Sequence, residues 1–307
     1  MSAARRRPSA GASEWAWIDV ARRALGRGVR RGVLVDIGDD AAVLAPVRAP
    51  LVLSVDAAVE DVHFRRAWMP LDVIGARAFE AAASDLAAMG ARPVAALLAL
   101  ALPRATRATE VAAITRGVAR AARRSGCPVV GGNFTRAREV SITTTVIGHA
   151  RRPLRRDGAR VGDRVWVTGT PGAAALGLAV LETGRRVRGS APFVRRFTRP
   201  EARIDAGLAL VGRASAAIDL SDGIVSDARH VAEASGVRIT LDAAALPMAR
   251  DQERVAGALG LDARRLALTG GEDYELLFTA RPGTKLAIAA TEIGVVERGH
   301  GVRVRGA

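Results

Sequence analysis

What most constrains this chain is where it keeps its acidic residues. Five short segments set Asp or Glu in or beside strongly apolar runs: Asp36-Ile37-Gly38-Asp39-Asp40, Ser54-Val55-Asp56, Ser84-Asp85-Leu86, Asp219-Leu220-Ser221-Asp222-Gly223 and Gly270-Gly271-Glu272-Asp273-Tyr274. Alone, each passes for an ordinary turn or helix cap, because Asp and Gly are common there. The set as a whole does not. Asp56 follows Leu51–Val55 with no turn sequence of its own, Asp85 sits among Ala, Leu and Met, and Asp219 ends an apolar run. Carboxylates so placed are too costly to bury unpaired. Mg²⁺ takes oxygen ligands, few of them protein carboxylates, and lets substrate phosphates complete its shell. Convergent aspartates therefore read as a site for Mg²⁺ and nucleotide phosphates.

The segments between these aspartates alternate in type. Glu14–Leu25 has helical spacing, and Val33–Leu44 is a β-type run broken by the turn Gly38-Asp39-Asp40. Leu51–Val55 and Val94–Leu102 read as strands, and Val140–Gly148 as a β-branched one. Pro70 to Gly90 carries the punctuation of a helix, and Thr109–Ser125 reads as another. In the latter, Arg116, Arg120 and Arg124 repeat at helical spacing and read as a solvated face. The arginine-rich stretch Arg151–Gly162 marks a domain boundary. Beyond it come strands at Arg164–Thr168, Ala216–Leu220, Val237–Leu241 and Leu276–Thr279, with helices at Ala173–Leu181 and Ile224–Ser235. The expected fold is α/β (α+β), with mixed sheets covered by helices in two domains, 14–150 and 151–307. Residues 1–13 read as a disordered tail.

Composition narrows the partners. With 49% hydrophobic but only 4% aromatic residues, the core has to be built from Ala, Val, Leu and Ile. A formal charge of +15 invites a nucleic-acid reading. Yet Lys285 is the only lysine, the arginines are scattered, and no basic run is interleaved with aromatics as a stacking platform needs. Attraction for small phosphates suits the charge better, and no nucleic-acid partner is expected. Cys127 is the sole cysteine, which excludes an intrachain disulfide and fits a reducing cytoplasm. No apolar stretch reaches the roughly 18 residues of a membrane span, and Arg5-Arg6-Arg7 is followed by no secretory apolar region.

The familiar nucleotide motifs are absent. There is no G-x-x-x-x-G-K-[ST], no G-x-G-x-x-G opening a helix after a strand, and no protein-kinase signature set. Phosphates must be held by glycine-rich backbone such as Gly131-Gly132, by helix N-termini, by arginines and by metal.

The acidic segments, in their order, resemble those of thiamine-monophosphate kinases, within the superfamily of aminoimidazole ribonucleotide synthetase, selenophosphate synthetase and a hydrogenase-maturation protein. The matching pieces are Gly38-Asp39-Asp40-Ala41-Ala42-Val43-Leu44, Val55-Asp56-Ala57 with Val62-His63-Phe64, and Ser84-Asp85-Leu86-Ala87-Ala88-Met89-Gly90-Ala91. They continue with Val167-Thr168-Gly169-Thr170-Pro171-Gly172, Asp219-Leu220-Ser221-Asp222-Gly223 and Gly270-Gly271-Glu272-Asp273-Tyr274-Glu275-Leu276. The resemblance implies the two-domain aminoimidazole ribonucleotide synthetase-like fold. It implies in-line, Mg²⁺-assisted transfer from ATP, as co-substrate, to thiamine phosphate, giving thiamine diphosphate in thiamine biosynthesis.

Carried over by position, the resemblance makes Asp40, Asp56, Asp85, Asp219 and Asp222 ligands of several Mg²⁺ ions, with Ser54, Val55 and position 133 beside them. Gly132, position 133, Arg156 and Ser221 would contact ATP, and His63 and Glu272 the thiamine phosphate. A homodimer is implied, pairing the sheets of its N-terminal domains near the nucleotide. His149, His230 and His300 have no motif support and read as structural.

Two departures stand out. Asn133 replaces an aspartate common in the family, which keeps an oxygen ligand but removes a charge. The sequence stops at Gly306-Ala307 without the family's aromatic tail, so the thiamine ring is expected to stack on Trp68, Phe134 or a partner chain. Two other readings use the same motifs: a different ATP-dependent small-molecule enzyme of the superfamily, or a catalytically degenerate nucleotide-binding homologue.

Overall fold

A computed structural model describes residues 14–25, 32–37 and 39–306. The tail expected at 1–13, and Gly38 of the first acidic turn, lie outside the described residues. Helix α1 (Glu14–Leu25) and a short antiparallel pair, β1 (Val33–Val35) and β2 (Val43–Leu44), lead into a four-stranded sheet. Its chain order is β3 (Leu51–Val59), α2 (Leu71–Ala88), β4 (Arg92–Leu102), α3 (Ala108–Ser125), β5 (Val129–Arg136) and β6 (Ser141–His149). In space the strands run β3-β6-β4-β5, with only β4 and β5 parallel.

The second sheet is larger and again mixed. It takes β7 (Arg164–Val167), then, after α4 (Ala173–Thr183), α5 (Ala191–Thr198) and α6 (Ile204–Leu210), strand β8 (Ala214–Asp219). Helix α7 (Ile224–Ser235), β9 (Arg238–Asp242), α8 (Gln252–Ala258), α9 (Ala263–Thr269), β10 (Leu276–Ala280), β11 (Thr291–Glu297) and β12 (Gly301–Arg305) complete it. The strand order is β12-β9-β11-β7-β10-β8, and only β12 and β9 are parallel.

Helix α2 joins the two sheets. Its alanine-rich sequence is apolar on nearly every side, which suits a helix with no solvent face, and fourteen of its 18 residues are buried. On one side it meets α3 at a close crossing, where a Cβ on Gly75 or Gly117 would strike the facing helix backbone. On the other it packs on α6 and β8. One apolar core therefore runs from Ile142 and Val146 of β6 through Phe79 and Leu86 of α2 to Phe197, Ala217 and Phe278.

The first sheet is covered on one face only. Along β3, Leu51, Leu53 and Val55 point outward and are more than half exposed (55%, 61% and 62%), while the residues between them turn toward α2. The stripe of Arg116, Arg120 and Arg124 is exposed, as expected. Arg120 bonds Asp72 at 3.1 Å and Arg124 bonds Glu80 at 2.6 Å, both on α2.

Two strand readings change. The run at Leu51 extends to Val59, because pairing with β6 continues through Asp56–Thr144 to Val59–Ser141, so Asp56 lies within the strand. The Gly131-Gly132 segment is part of β5, where glycine allows contact rather than a turn: a Cβ on Gly132 would collide with the Leu98 carbonyl of β4.

Candidate active site

The strand register decides what β3 offers to the interior. Ser54 and Asp56 face α2, and Ser54 Oγ donates a short hydrogen bond to Asp85 Oδ2. The preceding helix residue reaches the other sheet: Ser84 Oγ donates to Asp219 Oδ2 at 2.7 Å, at the end of β8. Adjacent residues of α2 thus tie the middle of β3 in one sheet to the end of β8 in the other. Burial pushes Asp219 up to about 6, and the charge of Asp85 adds to this, while Arg156 opposes it. Asp85 is also raised, by burial first; Ser54 lowers it, and the neighbouring Asp56 charge raises it again. Three carboxylates therefore crowd one another, with the exposed Arg156 as their facing cation.

A second acidic group follows in the turn after β8. Ser221 and Asp222 are exposed. Buried Asp227 accepts from the Asp222 and Gly223 amides at 3.2 and 3.1 Å and so closes the turn. Burial pushes Asp227 up to about 7, with Asp219 and Asp222 adding to it. Asp222, Asp227 and His230 bring one ligand atom each within 4.8 Å of one another. His230, read as structural from sequence, belongs to this group.

The loop before β10 holds Glu272 under backbone constraint. Glu272 and Tyr274 both adopt left-handed φ, +69° and +52°, rare for residues with a Cβ. Their amides donate to the Ser221 and Leu220 carbonyls at 2.8 and 2.9 Å. Between them, Asp273 caps α4, accepting from Gly172 and Ala174 amides at 2.5 and 2.9 Å. The Glu272 carboxylate itself bonds Arg77 of α2 and the Tyr274 hydroxyl. His63 is half-buried, and its Nδ1 accepts from the Val59 amide at 3.1 Å, closing the turn after β3.

The remaining expected residues lie elsewhere. Asp40, Gly132 and Asn133 line a cleft of about 870 Å³ with Asp39, Gly131, Phe134 and residues of α1. Ser54, Asp56, Asp85 and Asp219 are not part of its lining. Val55 points its side chain out of the sheet, away from the carboxylates, so only its backbone could serve a metal. Of the expected stacking residues, Phe134 packs on Trp17 (6.0 Å between ring centres) and lines that cleft. Trp68 stands edge-on to Phe197 at 6.2 Å, on the side of Arg77 and Glu272.

Sequence reasoning missed Ser84, Asp227, Arg77 and Tyr274 as parts of the site. Ser84 and Tyr274 sit inside matched motifs and could have been found by their neighbours. Arg77 could have been found from helix geometry, because it shares a face with Ser84 two turns on.

This chain, with two mixed sheets joined across one central helix, falls in the class of AIR synthase related proteins. The model of that family's N-terminal domain matches residues 38–150. The thiamine-monophosphate kinase of Aquifex aeolicus (strain VF5) is 38% identical over 273 residues, 88% of this chain and 89% of that one. Thiamine-monophosphate kinase from Stenotrophomonas maltophilia K279a has a crystal structure that superposes with a TM-score of 0.86 at 36% identity, covering 96% of this chain and 97% of that one. AaThiL complexed with AMPPCP and TMP gives 0.82 at 36% identity, with 96% and 94% covered. The chain belongs to the thiamine-monophosphate kinase family.

Proposed function

We propose that this chain transfers the terminal phosphoryl group of ATP to thiamine phosphate, giving thiamine diphosphate. Family membership supports the reaction, as does a relative at 36% identity complexed with AMPPCP and TMP. The observation that carries it here is the double tie across α2, Ser54 to Asp85 and Ser84 to Asp219, which gathers carboxylates from both sheets.

The donor chemistry fits Mg²⁺. Asp56, Asp85 and Asp219 are hard oxygen ligands, and those pushed upward by burial and mutual repulsion gain most from a cation. Asp40, Asp222 and the Asn133 amide oxygen are the further candidates. When bound, Mg²⁺ would neutralise and orient the phosphate oxygens. The protein's own part is positioning, which supplies most of the rate in phosphoryl transfer. Arg156 and Ser221, both exposed, and the backbone of Gly132 are the proposed contacts to the nucleotide phosphates. The acceptor is a phosphate oxygen, ionised at neutral pH, so no strong general base is required. Glu272 and His63 hold the thiamine end.

The outward apolar face of Leu51, Leu53, Val55 and Leu97 supports pairing with a second copy of the chain. The cleft of Asp40 and Asn133 opens beside Leu97, Thr145 and Ile147 of the same sheet, so nucleotide would bind near that pairing. No helix among the described residues is long and apolar enough to cross a membrane. A cytoplasmic setting accords with Cys127, buried and with its thiol pushed up to about 12 by burial. Purified protein with Mg-ATP and thiamine phosphate should yield thiamine diphosphate and ADP in equal amounts. ATP hydrolysis without that product would reject the acceptor.

A further inference from the structure

We infer that Arg77 is a positioning residue for Glu272, so that helix α2 sets the spacing between the carboxylate that reads the acceptor's ring and the carboxylates around its phosphate. The inference rests on the proposed reaction and deepens it toward specificity. Arg77 is only 4% exposed, and its guanidinium has three partners. Nη1 donates to the Phe197 carbonyl at 2.6 Å, Cζ lies 4.3 Å from the Phe197 ring centre, and Nη2 pairs with Glu272 Oε2. The Tyr274 hydroxyl donates to that same oxygen at 2.9 Å. Among the described residues no bond falls on Oε1, and the Glu272 side chain is 27% exposed.

A carboxylate with one oxygen fixed twice can turn only about that oxygen. Its free oxygen therefore points one way, which suits recognition of a single hydrogen-bond donor. The loop supports this direction, since the left-handed backbone at residues 272 and 274 is pinned by the Ser221 and Leu220 carbonyls.

Arg77 lies seven and eight residues before Ser84 and Asp85, on one face of α2. At the α-helical rise, that is about 10–12 Å along the axis between the residue that holds Glu272 and the residues that hold the carboxylates. Both ends are buried in one rigid helix, so neither can drift relative to the other. The structure thus favours a phosphate monoester that carries a hydrogen-bond donor on the part remote from its phosphate. An acceptor cut down to a thiazole phosphate, lacking the pyrimidine, presents only the near end.

Steady-state kinetics of the full chain test this with Mg-ATP, thiamine phosphate as acceptor, and the thiazole phosphate as a competing ligand. Arg77→Met should raise KM for thiamine phosphate about tenfold or more, with KM for ATP and the inhibition constant of the thiazole phosphate within about twofold of wild type. Arg77→Lys should recover part of the loss, and Tyr274→Phe should give a smaller rise of the same pattern. If Arg77→Met does not fold by circular dichroism, Tyr274→Phe carries the same expectation. Equal losses toward ATP, thiamine phosphate and the thiazole phosphate would mean that Arg77 acts through the fold alone and would overturn the inference. An unmoved KM for thiamine phosphate in folded variants overturns it too. Wild-type turnover is read first: its absence removes the proposed reaction, whereas its presence with an unmoved KM removes only the role of Arg77.

Discussion

Two of the buried carboxylates, Glu275 and Asp219, are accommodated in opposite ways. Glu275 is fully buried and is met by Arg196, Arg203 and the Thr168 hydroxyl. Burial alone would raise its pKa, but these partners outweigh it and hold the carboxyl below its usual range. Asp219 is nearly as buried, yet the strongest charge acting on it is another carboxylate, Asp85, and its pKa is pushed up to about 6, chiefly by burial. The first is complete as folded. Among the described residues the second is faced by one exposed cation, Arg156, which does not outweigh its burial, so a bound cation would complete it. Burial by itself does not mark a functional acid; the sign of what faces it does.

The comparison can be broken most severely by Asp56→Asn. Removing a proposed metal ligand should lower kcat by about a thousandfold or more while leaving the fold intact. Turnover at limiting Mg²⁺ measures this, and wild-type-like turnover would remove Asp56 from the metal set. Glu275→Gln should do the reverse. It strands two arginine side chains that are each 28% exposed, at a cost of about 3 kcal/mol in unfolding free energy. Denaturant titration reads that loss.

A finer separation comes from pH. A carboxyl raised in the folded state favours folding below its unfolded pKa, and that contribution is lost as pH rises through the folded value. For Asp219 the window runs from its ordinary value up to about 6. In metal-free protein, Asp219→Asn should therefore stabilise by up to about 3 kcal/mol at pH 7.5 and by little at pH 4, on the scale of its shift. Glu275 is lowered, so its contribution is present at neutral pH and disappears as pH falls through the folded value. Thermal melts at the two pH values check both signs. Mg²⁺ at saturating concentration should cancel the Asp219 effect, because a bound cation replaces the missing proton.

Much of this contrast was legible before any coordinates. Asp56, Asp85 and Asp219 announce themselves by ending or interrupting apolar runs, and helix α7 falls at Ile224–Ser235 where its spacing puts it. What could not be read were contacts between distant segments. Ser84 meets Asp219 across 135 residues and Arg77 meets Glu272 across 195, and nothing local in either partner signals the other. Strand β5 was hidden for a related reason, since glycines that look like a loop are needed by its parallel neighbour. The short helices α5, α6, α8 and α9 carry too few turns for periodicity to separate them from loops.

From Leu51 to Ala58 strand β3 alternates, with its odd residues on the outer face and its even ones toward α2. A one-residue insertion or deletion within it would exchange the two rows, turning Val55 into the site and Asp56 out onto the apolar face. A two-residue change preserves the sides and only shifts the positions. The strand thus behaves as a parity code, in which one odd-length error corrupts catalysis and surface together.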